Sequence, residues 1–199
     1  MAFISKLFGR REDETRKTTV DDPVRIAAPV IGFLNLDGAR GASLAQADMA
    51  SLGPLFKGSH LSQNTIPRCH VLFVYCGIEP GGRITGSPSR LREIVKAAGA
   101  LVAVVATENT PDRYFEAVEP RNDWHANLVL VIKRKGETFH SFFRQLFQSM
   151  LSGKSMLMTW VELAPQIPGG AHADCPESIM LAEAGHVTFD GRSERLSSG

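Results

Sequence analysis

The chain has 199 residues, 43% hydrophobic and 22% charged, a composition that fills one sizeable globular core and leaves room for loose ends. Its 22 basic and 21 acidic residues give a formal charge of +1, which supplies no electrostatic reason for a nucleic-acid partner. No apolar run reaches the roughly 18 residues of a membrane span, and no signal-peptide pattern opens the chain, so a cytoplasmic location is expected.

Three cysteines, Cys69, Cys76 and Cys175, form no CxxC pair. That argues against a zinc knuckle or a disulfide framework and for reduced thiols. In chain order, Phe3, Ile4, Leu7 and Phe8 recur at helical spacing with basic residues just behind them. Such a leader can rest on an anionic membrane surface, so peripheral membrane contact is one expectation. A charged, Thr-rich stretch follows to Asp22 and reads as a linker, which makes residues 1–22 a leader and 23–190 a single domain.

Ile26 to Leu36 is an apolar run stopped by Asp37-Gly38 and predicts the first strand. A weakly helical stretch spans Leu44 to Leu52. Val71 to Cys76 is continuous, β-branched and aromatic, as a strand buried on both faces should be. Gly77 to Gly86 is a Gly-rich loop, and Ser87-Pro88 offers a cap for a helix that ends at Gly99. Ala100 to Ala106 and Asn127 to Lys133 predict further strands, with a short helix around Asp112 to Val118 between them.

Phe139, Phe142, Phe143, Leu146, Phe147, Met150 and Leu151 then form one wide apolar helical stripe. A second helix is expected from Lys154 to Ala164, and a strand or strand pair from Glu177 to Phe189 with a break at Gly185. The last residues, 191–199, are a polar tail. Alternating strands and helices predict an α/β, three-layer fold: a mostly parallel sheet with helices on both faces.

In such sheets ligands gather at the carboxyl ends of the strands. Cys76 stands at one such end, where a thiol becomes a nucleophile only with a base beside it; a buried core cysteine is the alternative. His60 is the histidine available to swing in, since His70 lies at the wrong end of its strand. Gly77, Gly81, Gly82, Gly86 and Ser87 can cradle a phosphate through backbone N–H groups, although neither a Walker A nor a GxGxxG pattern is present. Asp37, Glu79, Glu108 and Asp112 lie near strand ends, where solvated turn acids explain them better than a metal does. No cofactor is implied.

Three groups of residues carry a family resemblance: Val71–Cys76 with its glycine loop, Gly99-Ala100-Leu101-Val102 after a helix, and the aromatic helix leading to Ser152-Gly153-Lys154-Ser155 and a closing strand. In this order they resemble the caspase-like fold, in particular its bacterial CHAT-type, separase-related branch. The resemblance implies a Rossmann-like, caspase-like topology and a catalytic His-Gly at the end of the strand before the cysteine strand. Asp37-Gly38 stands at that place here, and an aspartate cannot shuttle protons near neutral pH as an imidazole does. A degenerate dyad, hence a non-catalytic domain that binds another protein, is the expected function. A cysteine hydrolase using Cys76 and His60, or a nucleotide sensor using the glycine loop, are the alternatives.

Overall fold

The computed structural model describes residues 23–80, 82–119, 124–164 and 175–190. The leader with Phe3, Ile4, Leu7 and Phe8, Gly81, His172 and the polar tail lie outside the described residues.

Buried β-branched runs form the middle of the sheet. β2 (Val30–Asn35), β4 (Val71–Tyr75), β5 (Val102–Val105) and β6 (Asn127–Lys133) are parallel neighbours. β3 (Gly58–Ser62) adds a parallel edge beside β2, and β7 (Glu177–Ala182) closes the other edge antiparallel to β6. The order β3-β2-β4-β5-β6-β7 means that the first two strands of the sheet are exchanged in space. Strand order therefore reverses between β2 and β4, the switch point of a doubly wound sheet. The protein is thus an α/β fold with a mostly parallel, mixed sheet.

Strands covered on both faces need two helical layers. On one face Phe33, Phe73, Val104, Val129 and Val131 pack with α1 (Gly38–Leu52) and α4 (Thr138–Leu151) in a single core. The α4 stripe is buried from Phe139 to Met150 as its spacing predicts, with Leu151 half-buried at its end, and Phe73 meets Phe143 at 5.3 Å and Phe147 at 6.1 Å between ring centroids. On the other face Leu72, Val74, Ala103, Val105, Leu128 and Leu130 pack with α2 (Leu91–Ala98) and with Tyr114 of α3 (Pro111–Val118).

The apolar run from Ile26 to Leu36 is not one strand. β1 (Val24–Ala27) leaves the sheet and pairs with β8 (Val187–Asp190) in a parallel two-stranded ribbon. The break falls at Ala28, whose φ of 52° is left-handed, and Pro29, which has no N–H for a ladder. The ribbon's Phe189 stacks near Phe56 and Phe147, which ties it to the α4 side of the core. Two helix starts also differ from expectation. α1 begins at Gly38, because Gly41 lets it approach Asn35, whose side chain a Cβ there would strike. α2 begins at Leu91 and not at Ser87-Pro88, since the Arg90 N–H donates to the Glu93 carboxylate at 2.9 Å.

α5 (Met156–Leu163) contains Thr159, fully buried, whose hydroxyl is the one buried side-chain polar atom without a hydrogen-bond partner among the described residues. Thr159→Val keeps the shape and removes that hydroxyl, so it should raise stability by about 1 kcal/mol in urea unfolding. A loss of stability would mean that the hydroxyl has a partner in solution. No helix among the described residues is long and apolar enough to cross a membrane.

Candidate functional site

The carboxyl edge of the sheet is where the topology directs a ligand, and Cys76 stands at its centre. The residue is fully buried. Its backbone is held from the β5 side: the Cys76 N–H donates to Thr107 Oγ1 at 3.1 Å, while its carbonyl accepts the Thr107 hydroxyl and, at 3.3 Å, the Asn109 amide. Asn109 Oδ1 in turn accepts the Ile78 N–H at 3.0 Å. Beyond Cys76 the chain folds back as a small hairpin. Ile78 bridges Ile84, the Glu79 N–H donates to the Arg83 carbonyl, and both isoleucines are buried. Cys76, Ile78 and Ile84 belong to one buried apolar cluster.

Burial pushes the Cys76 thiol up to about 12, and the nearby Asp37 charge adds to the shift. The thiol is therefore held protonated at neutral pH, the opposite of an activated nucleophile. Cys69 is likewise raised to about 12 by burial, against a weaker opposing backbone contact from Gly32.

The two strand ends flanking Cys76 belong to β2 and β5, and they supply Asp37 and Thr107 with Asn109. Neither supplies an imidazole. His60 lies exposed on edge strand β3, level with Gly32, which is level with Leu72. From there to Cys76 is four residues along the sheet, about 13 Å, and two strand spacings across, about 10 Å. His70 accepts the Val30 N–H through Nδ1 at 3.1 Å, at the opposite end of β4. His140 contacts Asp48, and His186 contacts Ser155. Cys76 and His60 are not brought together.

The remaining sequence candidates serve local structure. Gly77 packs on Thr85, whose hydroxyl would lie 2.7 Å from a Cβ at that position. Gly82 and Gly86 hold φ of 69° and 73°, turn conformations that favour glycine. Ser87 Oγ accepts the Ser89 N–H at 3.2 Å. The Asp37 carboxylate lies 4.0 Å from Arg40 Nε, its carbonyl accepts the Gly41 N–H at 3.3 Å, and its own N–H donates to Asn35 Oδ1. Glu108 is exposed and accepts the Arg134 N–H at 2.9 Å. Among the described residues no group of three or more His, Cys, Asp or Glu side chains is arranged to hold a metal ion.

A second polar cluster under the same edge has no counterpart in the sequence reading. Asp48, on the inner face of α1, is completely buried. It accepts Arg134 through both oxygens at 2.8 and 3.1 Å and the Tyr75 hydroxyl at 2.6 Å, and it meets His140 Nε2 at 2.6 Å. Arg134 also donates to the Ala106 carbonyl at 2.7 Å and lies 3.6 Å over the Phe139 ring. Burial alone would raise the Asp48 carboxyl, but the hydrogen bonds from His140, Arg134 and Tyr75, with the Arg134 charge, outweigh it and the net shift is downward. The signal in the sequence is a lone acid among Ala45, Asp48 and Leu52, which share one helical face. Every partner of the cluster is internal, which makes it a clamp between α1, β4, β6 and α4.

No protein-family model matches this chain, and no curated protein or solved structure matches it either.

Proposed function

We propose that the chain is a non-catalytic, caspase-like domain that acts as a protein-interaction or regulatory module. The observation that carries this reading is Cys76: buried in one apolar cluster with Ile78 and Ile84, raised to about 12, and flanked by Asp37 and Thr107 instead of a histidine. The caspase-like resemblance implies a His-Gly on the strand preceding the cysteine strand, and the chain can be laid on that pattern in two registers. If Cys76 is the cysteine, the neighbouring end of β2 holds Asp37-Gly38. If Cys76-Gly77 stands in the place of His-Gly, the neighbouring end of β5 holds Ala106-Thr107. Either register lacks the pair of imidazole and accessible thiol that hydrolysis needs.

The hydrolase alternative requires His60 to cross two strands. The nucleotide-sensor alternative requires free N–H groups in the Gly82–Ser87 loop and at the start of α2, where Thr85, Ser87 and Arg90 already donate within the loop and to Glu93. Support for a protein partner is the outward face of α3, where Phe115 is 76% exposed. The test is treatment of the folded protein with peptidyl electrophiles directed at cysteine peptidases, read by intact mass. No adduct on Cys76 is expected. A rapid stoichiometric adduct on Cys76, abolished by prior denaturation, would overturn the proposal in favour of a hydrolase.

A further inference from the structure

Away from the carboxyl edge, the outer face of the β1–β8 ribbon meets the turn between α4 and α5, and a cleft of about 490 Å³ opens between them. Its polar lining converges from three separate segments: Arg25 of β1, Ser155 at the start of α5, and His186, Thr188 and Asp190 around β8. Arg25 and Thr188 are cross-strand partners, so guanidinium and hydroxyl stand side by side while the alternate residue, Ile26, turns into the core. Arg25 has no carboxylate partner among the described residues.

His186 is oriented by Ser155, with Nδ1 2.9 Å from the serine Oγ. That Oγ already accepts the Met158 N–H at 3.3 Å, so the hydroxyl proton is available to Nδ1. In the tautomer whose Nδ1 accepts from Ser155, the imidazole carries its hydrogen on Nε2. The cleft therefore collects a permanent cation, an imidazole N–H and a hydroxyl in a space of small-ligand size.

We propose that this cleft binds a phosphate group, free or as the monoester of a small molecule. Arg25 supplies the charge and a planar pair of N–H donors, and His186 Nε2–H and the Thr188 hydroxyl complete the oxygen contacts. Asp190 is exposed at the rim. Its carboxylate offsets part of the Arg25 charge in the same cleft, and suits a ligand whose other substituents are hydroxyls or amines that donate to it. The site uses neither Cys76 nor the glycine loop, so it is independent of whether the domain is catalytic.

The experiment is calorimetric titration of the full chain at neutral pH with inorganic phosphate and, separately, with glycerol 3-phosphate, with acetate at matched ionic strength as control. The His186 ring is followed in parallel by NMR. Saturable binding that shifts the His186 resonances is expected, and Arg25→Gln should weaken it by about tenfold or more. Thr188→Val should weaken it less, and neither exposed-face change should move the melting temperature of the unliganded chain. Tighter binding of glycerol 3-phosphate identifies a small-molecule monoester as the ligand, and equal binding identifies free phosphate. Lack of saturation at millimolar phosphate, an equal response to acetate, or undiminished binding by the Arg25→Gln chain would overturn the proposal.

Discussion

Asp48→Ala should destabilise the domain by about 3–5 kcal/mol in urea unfolding, because it leaves the Arg134 guanidinium buried without its counter-charge. Arg134 would keep only the Ala106 carbonyl and the Phe139 ring, and the buried Tyr75 hydroxyl would lose its acceptor. The same cluster sets an acid limit on stability. The Asp48 carboxyl is held below its ordinary value in the folded state, so the folded protein binds this proton less readily than the unfolded chain does. Its contribution is complete above the unfolded carboxylate value of about 3.9 and is lost as pH falls through the lower folded value. Wild type should therefore lose stability on acidification below about pH 4, and Asp48→Asn should lose less over the same interval. An Asp48→Ala protein as stable as wild type would dissolve the clamp.

Phe143→Ala should cost about 3–5 kcal/mol, since it removes a fully buried ring from the centre of the aromatic core. Phe143 touches Phe73 on the sheet and Phe139, Phe142 and Phe147 on its own helix, at centroid distances of 4.7 to 5.9 Å. Neighbours so tightly interlocked cannot collapse into the space, so the cavity term adds to the lost transfer energy. Phe115→Ala is the matched control: the same chemical change at a ring 76% exposed should leave the unfolding midpoint nearly unchanged. An unchanged midpoint for Phe143→Ala would remove α4 from the core.

What was legible in the sequence follows from where the burial signal is local. β6 matches its apolar run from Asn127 to Lys133, and the α4 stripe is a one-dimensional pattern that needs no partner to be read. β3 was invisible because Gly-Ser-His-Leu-Ser is an edge strand with no core-facing apolar run, and that hid the true position of His60. β1 and β2 read as one run because their residues are equally apolar and only the Ala28-Pro29 backbone separates them.

At the candidate site the strand end at Cys76 was readable, but its burial was not. Cys76 shares a buried apolar cluster with Ile78 and Ile84, two residues in a segment whose glycines read as an open loop. The Asp48 clamp depends on pairs 86 and 92 residues apart, Arg134 and His140, and no local spacing carries such information.

Burial makes Cys76 an unreactive core thiol, and the ionisation of that one sulfur is open to measurement. In a Cys69→Ala, Cys175→Ala chain, iodoacetamide labelling of the remaining thiol is measured as a function of pH under native conditions. Labelling should be slower than that of a free cysteine throughout and still rising at alkaline pH beyond the ordinary thiol value of about 8.5, as a thiol raised to about 12 requires. Fast labelling at pH 7, with an apparent pKa well below that of a free thiol, would contradict it and make Cys76 a nucleophile.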